Sequence, residues 1–309
     1  MRDSIFRRAF VSAILIALAL SSHAQVKHID LTPGSFEGVS VGGDFVLSVA
    51  EGDSCSVAID VSEEFAEFLA AEIVDSVLVL RIDEKRDLSE IWKQFRVRNA
   101  PSAVFRASVT VPRVLKSLSL SGNAVLDSLG NVLDSTAVSL SVKDNASVSG
   151  VSLKSSSVSM ILSKKAKGEV AVVCDTARVT VGGSSELKLR CSAASLTELD
   201  LNSNASLVLD GESGRMSLVS NGTSKAILNG ASPYVSYRLG GSSSVNALNL
   251  NVKEANIDMS GICSLKQAAS EWLFISIRNG ATLTYDGSPQ VKIAGIKNAS
   301  VLRYQKTGR

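Results

Sequence analysis

The densest group of chemically useful side chains lies in residues 84–104, which read EKRDLSEIWKQFRVRNAPSAV. Two aromatic rings alternate there with three cations, and the five residues are Trp92, Lys93, Phe95, Arg96 and Arg98. Aromatic faces stack on sugar rings and cations bind acidic groups, so this insert is a candidate contact for a glycan or an acidic partner. The alternative is that both rings pack onto the protein while the cations stay in water.

The four cysteines are Cys55, Cys174, Cys191 and Cys263, and no two of them form a CxxC motif. Cys174 and Cys191 are 17 residues apart, which is close to the repeat length described below. They are therefore the predicted disulfide pair if the chain is exported. The alternative is that the thiols are free and buried, where cysteine behaves as a small apolar residue.

Few histidines are available for catalysis or metal binding, because the chain has two and His23 falls within the leader described below. His28 alone cannot supply a multi-histidine metal site. Its place near the start of the exported chain also argues against a Ser-His or Cys-His catalytic pair. The sequence therefore predicts no catalytic residues, no metal site and no cofactor.

The alternative function is a β-helical enzyme acting on polysaccharides, which would need two carboxyl groups as acid and base. Asp200, Asp258 and Asp286 lie at or near comparable positions in the repeat. Asp200 and Asp258 are three repeats apart, about 14 Å at strand spacing. A retaining pair needs roughly 5 Å and an inverting pair needs at most about 9.5 Å. A non-enzymatic protein is therefore favoured.

Two kinds of short motif suggest glycosylation of the chain itself. The formal N-linked sequons begin at Asn145, Asn204, Asn221 and Asn298, and all four fall at the sharp corner of the repeat. A corner favours Asn and Gly for their backbone freedom, so geometry explains these motifs. Asp followed by Ser or Thr and then a small or apolar residue resembles an O-glycosylation signal, and examples begin at Asp75, Asp127, Asp134 and Asp175.

The first 24 residues have the pattern of a secretory signal peptide. Three arginines precede the apolar run AFVSAILIALAL, and small residues lead to a predicted cleavage between Ala24 and Gln25. The apolar run is shorter than the roughly 20 residues that span a bilayer, and no later segment is long and apolar enough to do so. The chain is thus expected in the periplasm, on the outer-membrane surface or outside the cell.

Removal of this leader leaves a nearly neutral chain, since Lys+Arg falls from 32 to 29 and Asp+Glu from 30 to 29. A neutral chain exerts no general electrostatic attraction on polyanions. Nucleic acid is therefore excluded as the expected partner.

A repeat of about 20 residues dominates the rest of the chain. Each unit has a last apolar residue before a small polar bend, which we call the anchor, and successive anchors are 18 to 22 residues apart. The predicted anchors are Leu120, Val142, Leu162, Val181, Leu201, Val219, Leu239, Met259, Ile277 and a degenerate Gly295. A second core residue usually lies two positions earlier, which is strand spacing with one buried face.

The position four residues after each anchor is nearly always small. It is occupied by Ala124, Ala146, Ala166, Ser185, Ala205, Thr223, Ser243, Cys263, Ala281 and Ala299. Each unit therefore reads as strand, sharp corner, strand and return, which indicates an all-β parallel β-solenoid. Coils rising about 4.8 Å each would make ten coils a rod on the order of 48 Å long.

We expect a single β-helix domain over residues 25–309 after the signal peptide of residues 1–24. Residues 25–111 form irregular N-terminal strands that cap the rod, with the insert at 84–104, and residues 112–305 form the regular coils. The stretch SEEFAEFLAAEIV suggests a short helix with Phe65, Phe68 and Leu69 on one face.

Several segments together resemble a known family. They are SFEGVSVGGDFVLSVAEGDSCSVAIDV, DSVLVLRI, SVTVPRVLKSLSLSGNA and YDGSPQVKIAGIKNASVLRY. In this order they are similar to the exported bacterial family called putative auto-transporter adhesin, head GIN domain, which is common in Bacteroidota and was long catalogued as a domain of unknown function. The resemblance spans residues 26–304. It implies a right-handed, single-stranded parallel β-helix in the cell envelope, and the family has no catalytic residues to transfer.

The expected role is that of an adhesin-like or scaffold protein that binds through the long faces of the rod. The expected partner is a glycan or an envelope protein, because stacked Ser, Thr and Asn rows offer many weak hydrogen bonds. Edge strands at the ends of the rod would also allow self-association.

Overall fold

The computed structural model describes residues 25–83, 87–98, 100, 102–112, 115–130, 132–133 and 135–304. The predicted signal peptide, including Ala24, lies outside these residues, and Gln25 is the first residue described. Of the segments that the structure describes, no helix is both long and apolar enough to cross a membrane.

Among its described residues, the N-terminal part contains seven strands and two short helices. Strands β1 to β7 are Val26–Leu31, Gly38–Val41, Val46–Glu51, Ser56–Ser62, Leu69–Val74, Val77–Ile82 and Phe105–Val111; the 3-10 helix is Glu63–Phe68 and helix α1 is Ser89–Phe95.

Strands β8 to β24 form the regular coils. They are Ser117–Leu120, Val125–Leu129, Ala137–Val142, Ser147–Lys154, Ser157–Leu162, Lys167–Val181, Glu186–Leu201, Ser206–Ser220, Lys225–Ala231, Tyr234–Gly241, Ser244–Asn251, Glu254–Gly261, Ser264–Ala268, Trp272–Arg278, Thr282–Asp286, Gln290–Lys297 and Ser300–Arg303.

The predicted all-β solenoid is confirmed, with about 10 turns whose equivalent residues are about 19 apart. Each coil contributes one strand to each of two parallel sheets. Sheet I contains β8, β10, β12, β17, β19, β21 and β23, and sheet II contains β9, β11, β16, β18, β20, β22 and β24. The long strands β13, β14 and β15 bend around the corner and belong to both sheets.

The core is a set of stacked apolar rows between the two sheets. In sheet I, Leu140 pairs with Leu118 on one side and with Met160 on the other, and all three are buried. The small position after the corner is equally regular, since Ala124, Ala146 and Ala166 are fully buried. Each coil therefore covers its neighbours, which is how a solenoid shares stability between repeats.

Two predicted anchors are wrong by one residue. Ser220, not Val219, pairs with Leu201 and faces inward, and its hydroxyl lies 2.7 Å from that of the buried Ser224. Ser224 therefore replaces Thr223 at the small position. A polar anchor is tolerated inside because another buried hydroxyl satisfies it.

The second wrong anchor is Gly295, because Ile296 pairs with Ile277 in the last coil. An irregularity in the pairing after Ile275 leaves Ala294 without a partner strand residue, and this shifts the phase by one. Period-two counting does not register such a bulge.

The N-terminal part is irregular, as predicted, because antiparallel strands are mixed with parallel ones. Strand β4 is antiparallel to both β1 and β7, while β3 is parallel to β7 and β9. The predicted short helix covers only half of its segment, since the 3-10 helix ends at Phe68 and β5 follows. Strand β5 forms a hairpin with β6 through Asp75 and Ser76, both at positive φ, and a two-residue turn of this kind fixes antiparallel pairing.

Candidate functional site

Alternate residues of sheet I point outward, and in the later coils they form two rows across the strands. The first row runs Arg215, Tyr234, Glu254, Trp272 and Gln290; the second runs Ser217, Ser236, Asn256, Phe274 and Lys292. The residues between them along each strand are buried, as Val235, Ala255 and Leu273 show. The parallel register therefore sets the spacing of these outward side chains.

Three of these outward side chains are aromatic. Trp272 and Phe274 stack with their ring centroids 5.8 Å apart and their planes at 15°. Tyr234 is 45% exposed, and the guanidinium of Arg215 lies 5.8 Å from its ring centroid. Tyr234 and Trp272 are two strands apart, about 10 Å. We call Tyr234, Trp272 and Phe274 the aromatic platform.

Polar side chains lie between and beside these rings. Glu254 separates Tyr234 from Trp272 in the first row, and Asn256 precedes Phe274 in the second. Tyr234, Glu254, Asn256 and Phe274 line a shallow depression of about 330 Å³. The platform thus offers ring faces for stacking, and beside it Glu254 offers a carboxylate that accepts hydrogen bonds and Asn256 an amide that both donates and accepts them.

Each coil has two corners: the first lies where sheet I turns into sheet II, and the second lies where sheet II returns to sheet I. A longer cleft follows the second corner. Its volume is about 1110 Å³, and Lys154, Asp175 and Glu212 project among Ser, Ala and Gly residues along it. No aromatic residue is among the described residues that line this cleft. It offers hydroxyl and charged groups but no ring surface, so it is the weaker of the two candidate sites.

The structure does not bring the three predicted acidic residues together. Asp200 and Asp258 both lie in sheet I, and the register from Asp200 through Val219 and Arg238 to Asp258 places them three strands apart. Asp286 lies in sheet II. This spacing matches the sequence estimate, and it provides no pair at the separation needed for glycosidic cleavage.

The insert residues divide into two groups. Trp92 and Phe95 lie 4.7 Å and 5.5 Å from the ring of buried Phe65, measured between centroids. Both are partly buried, whereas Lys93, Arg96 and Arg98 are exposed. The rings therefore contribute to packing at the N-terminal end, and the exposed cations keep open the proposed contact with an acidic partner.

Cys174 and Cys191 lie on adjacent coils but are not directly opposite each other. Cys174 pairs with Ala193 and Cys191 pairs with Val172, and both side chains are free thiols. Burial raises the pKa of Cys174 to about 11, and the neighbouring Cys191 adds to the increase. Diagonal neighbours have Cα atoms about 7–8 Å apart, so a disulfide would need the backbone to shift. The pairing stays a prediction.

The four N-linked sequons lie at the first corner, where sheet I turns into sheet II, and their asparagines are exposed. The residue at positive φ is Asn298 itself in one case, but Asp144, Ser203 and Gly222 in the others. The corner therefore needs one left-handed residue, although usually not the sequon asparagine. Of the O-glycosylation motifs, Asp134 lies outside the described residues, and modification at the others stays a prediction.

The aromatic platform was not among the sites predicted from the sequence. Tyr234 and Trp272 lie five residues before the anchors Leu239 and Ile277, and Phe274 lies three before Ile277. A residue at an odd distance from an inward-facing anchor is predicted to point outward, so the outward direction of all three rings could have been predicted from the sequence. Within the part of the chain that the structure describes, no group of three His, Cys, Asp or Glu residues is placed to hold a metal ion.

Comparison with known proteins gives one family. The model of the family described as "Putative auto-transporter adhesin, head GIN domain" matches residues 35–206 and 192–289. No curated protein matches the chain.

Among the solved structures that match the chain are three from Parabacteroides species. A putative adhesin from Parabacteroides distasonis ATCC 8503 is 14% identical with a TM-score of 0.46, and one from Parabacteroides merdae ATCC 43184 is 16% identical with a TM-score of 0.41. A putative lipid binding protein from Parabacteroides distasonis ATCC 8503 is 13% identical with a TM-score of 0.43. Each match covers 92% of this chain and 98% of the other.

Proposed function

The chain belongs to the putative auto-transporter adhesin, head GIN domain family, and from that premise we propose that it is an exported, non-enzymatic protein that binds glycan chains at the cell envelope through its aromatic platform. Export rests on the signal-peptide pattern of residues 1–24. The adhesin name of the family supports an external partner. The choice of a glycan rests on the platform itself.

The observation that carries the proposal is the stacked pair of Trp272 and Phe274 on the outer face of sheet I. Large aromatic side chains are usually buried, and a partly exposed stack of two rings presents a flat apolar surface of defined orientation. Sugar rings have one face rich in C–H groups, and these groups are attracted to the electron-rich face of an aromatic ring. Their hydroxyl groups project from the edge of the ring, within reach of polar neighbours.

The neighbours of the platform complete this chemistry. The carboxylate of Glu254 can accept hydrogen bonds from two adjacent hydroxyls, and the amide of Asn256 can donate and accept them. Tyr234 and Trp272 offer two stacking surfaces about 10 Å apart along the rod axis. An extended oligosaccharide lying along that axis would therefore contact both rings in succession.

Glu254 and Asp258 do not form the pair of acids that a polysaccharide-cleaving enzyme requires. Glu254 and Asp258 point outward from the same strand but are four residues apart, about 13 Å along an extended chain. Binding without cleavage is the activity that these side chains support best.

The experiment is an array of immobilised oligosaccharides that includes neutral hexose, N-acetylhexosamine and uronic acid chains. We expect the exported chain to bind a subset of them, and Trp272→Ala to reduce that binding by more than about tenfold, as for a central contact residue. The matched control is Ile262→Ala, which removes an apolar side chain that is 77% exposed but lies at a corner away from the platform. Binding that survives Trp272→Ala, or a wild-type protein that binds no glycan, would refute the proposal.

A further inference from the structure

The last described strand of sheet I, β23, has apolar side chains that nothing among the described residues covers. Val291, Ile293 and Ile296 continue the inward rows of Leu273, Ile275 and Ile277, yet Ile293 is 54% exposed whereas Leu273 is fully buried. At the same end of the rod, Leu302 of β24 is 53% exposed. In the described structure, β23 pairs with β21 on one side only.

At the opposite end of the rod, two short helices cover part of the core, although strand β5 pairs only with β6 within the part of the chain that the structure describes and is itself an edge. Helix α1 and the 3-10 helix bring Trp92, Phe95 and Phe65 into contact there, and Phe65 is fully buried. A solenoid needs caps because its terminal coils otherwise expose the core. An edge strand with free backbone groups and apolar side chains is also a template for pairing with another strand. The β23 end has no such helices among the described residues, and this difference makes it the candidate interface.

The sequence of β23, Gln290-Val-Lys-Ile-Ala-Gly-Ile-Lys297, is complementary to itself when two copies run antiparallel about the point between Ile293 and Ala294. Val291 then lies opposite Ile296 of the second copy, and both face inward. Lys292 lies opposite Gly295, and both face outward.

The charges agree with the same register. Gln290 lies opposite Lys297, so no lysine of one copy faces a lysine of the other. Like charges directly opposite each other would destabilise such a pair. Because the bulge at Ala294 adds one residue, Val291 and Ile296 both face inward although they are five residues apart, so they can lie opposite each other in the two copies.

We propose that a second copy of this chain binds at this end, with the two β23 strands antiparallel about a twofold axis normal to sheet I. The contact is isologous, so it closes at two copies and leaves no β23 edge free. It joins the two cores through Val291, Ile293 and Ile296 of both copies. A head-to-tail contact, in contrast, would join this end to the opposite end and produce open-ended chains.

The proposal does not depend on glycan binding. If both hold, the twofold axis places the two platforms on one continuous outer face, because the outward side of sheet I is the same in both copies. Trp272 lies next to Gln290 in the register, so each platform is close to the new contact. Two linked sites would raise the affinity for a long or repeated glycan without any new contact.

The first test is the molar mass of the exported chain measured by light scattering during size-exclusion chromatography over a dilution series. We expect twice the chain mass at high concentration and dissociation on dilution. Ile296→Lys should give the single chain mass, whereas the control Ile262→Lys, at an equally apolar exposed position elsewhere, should remain dimeric. A monomer at every concentration, a ladder of larger species, or a dimer that Ile296→Lys leaves intact would each overturn the proposal.

The second test reads the register and does not depend on a destabilising substitution. In the variant Val291→Cys/Ile296→Cys, each new thiol faces its counterpart on the other copy, so mild oxidation should give a covalent dimer. Val291→Cys alone should not cross-link through this position, because residue 291 does not face itself. The wild-type chain, oxidised in parallel, accounts for its native cysteines. Failure of the double variant to cross-link as a dimer in solution would rule out the antiparallel register.

Discussion

The phenol hydroxyl of Tyr237 donates a hydrogen bond to the side-chain carbonyl oxygen of Gln267 across the interior of the solenoid. Tyr237 comes from sheet I and Gln267 from sheet II, and both side chains are buried. The amide nitrogen of Gln267 donates in turn to the carbonyl oxygen of Ala268 at 2.6 Å. Burial raises the pKa of Tyr237, so its hydroxyl keeps the proton that it donates. One polar link therefore joins the two sheets inside an apolar core.

Removing both members of this pair should cost less than the two single removals added together. Tyr237→Phe leaves the buried oxygen of Gln267 without its donor, and we expect the free energy of unfolding to fall by about 1–3 kcal/mol. Tyr237→Phe combined with Gln267→Leu should cost clearly less than the sum of the two single changes. Denaturant unfolding of the four proteins gives the cycle, and simple additivity would contradict a coupled pair.

The same tyrosine predicts a pH effect with a defined sign. An unfolded tyrosine loses its proton near pH 10, whereas the buried Tyr237 holds its proton to higher pH. Above about pH 10 the unfolded state therefore binds fewer protons than the folded state, and stability decreases as the pH rises. In Tyr237→Phe the loss of stability between neutral pH and pH values above 10 should be smaller than in the wild type. An equal loss would contradict the role of Tyr237.

Ser185 is predicted to be a site where a smaller, less polar side chain stabilises the protein. Its hydroxyl is buried and has no hydrogen-bond partner among the described residues, and the equivalent residues of the adjacent coils are Ala166 and Ala205. Ser185→Ala should raise the free energy of unfolding by about 1 kcal/mol. Ser243→Ala is the control, because Ser243 donates to the carbonyl oxygen of Gly240 at 2.9 Å and should gain nothing.

Gly211 is predicted to be indispensable for the close approach of neighbouring coils. A Cβ atom there would lie 1.8 Å from the carbonyl oxygen of Cys191, which the backbone cannot accommodate without moving. Gly211→Ala should therefore destabilise the protein by about 2 kcal/mol or more. Gly182→Ala, where a Cβ would meet no atom within 4 Å, should change stability by no more than about 0.5 kcal/mol. Equal effects of the two substitutions on the unfolding midpoint would be inconsistent with this packing.

The insert is predicted to separate into a structural part and an exposed part. Trp92→Ala removes a ring that packs on Phe65 and Phe105, and we expect a loss of about 2–3 kcal/mol, less than for a fully buried ring. Arg96→Ala and Arg98→Ala should change stability by no more than about 0.5 kcal/mol, because both side chains are exposed. If Trp92→Ala left the unfolding midpoint unchanged, the packing role would be wrong.

The solenoid could be predicted from the sequence because its period is repeated in every coil and its small position is nearly constant. Hydrophobicity alone does not predict the inward-facing anchor in every coil. Ser220 is a polar anchor whose partner, Ser224, becomes apparent only when both are buried, and the bulge at Ala294 moves the last anchor to Ile296. Both are local departures from the apolar pattern, and they depend on strand pairing and side-chain packing that the sequence pattern does not show.

The candidate site was harder to predict for a different reason. Trp92 and Phe95 cluster with cations along the sequence and were therefore the predicted contact, whereas Tyr234 and Trp272 are 38 residues apart and lie on one face only because of the register of three strands. The distance of each residue from its anchor predicts that its side chain points outward. Their separation across the sheet depends on the exact number of residues in each coil.

The most direct test uses the two tryptophans of the chain, Trp92 and Trp272, as separate fluorescent reporters. The probe is the soluble form of the oligosaccharide that gives the strongest array signal. In Trp92→Phe, which keeps only the platform indole, we predict a saturable change of emission with wild-type affinity. In Trp272→Phe, which removes the platform indole but keeps an aromatic ring there, we predict no such change of emission. A response that disappears with Trp92→Phe and persists with Trp272→Phe would contradict glycan binding at the platform, because it would place the glycan at the insert.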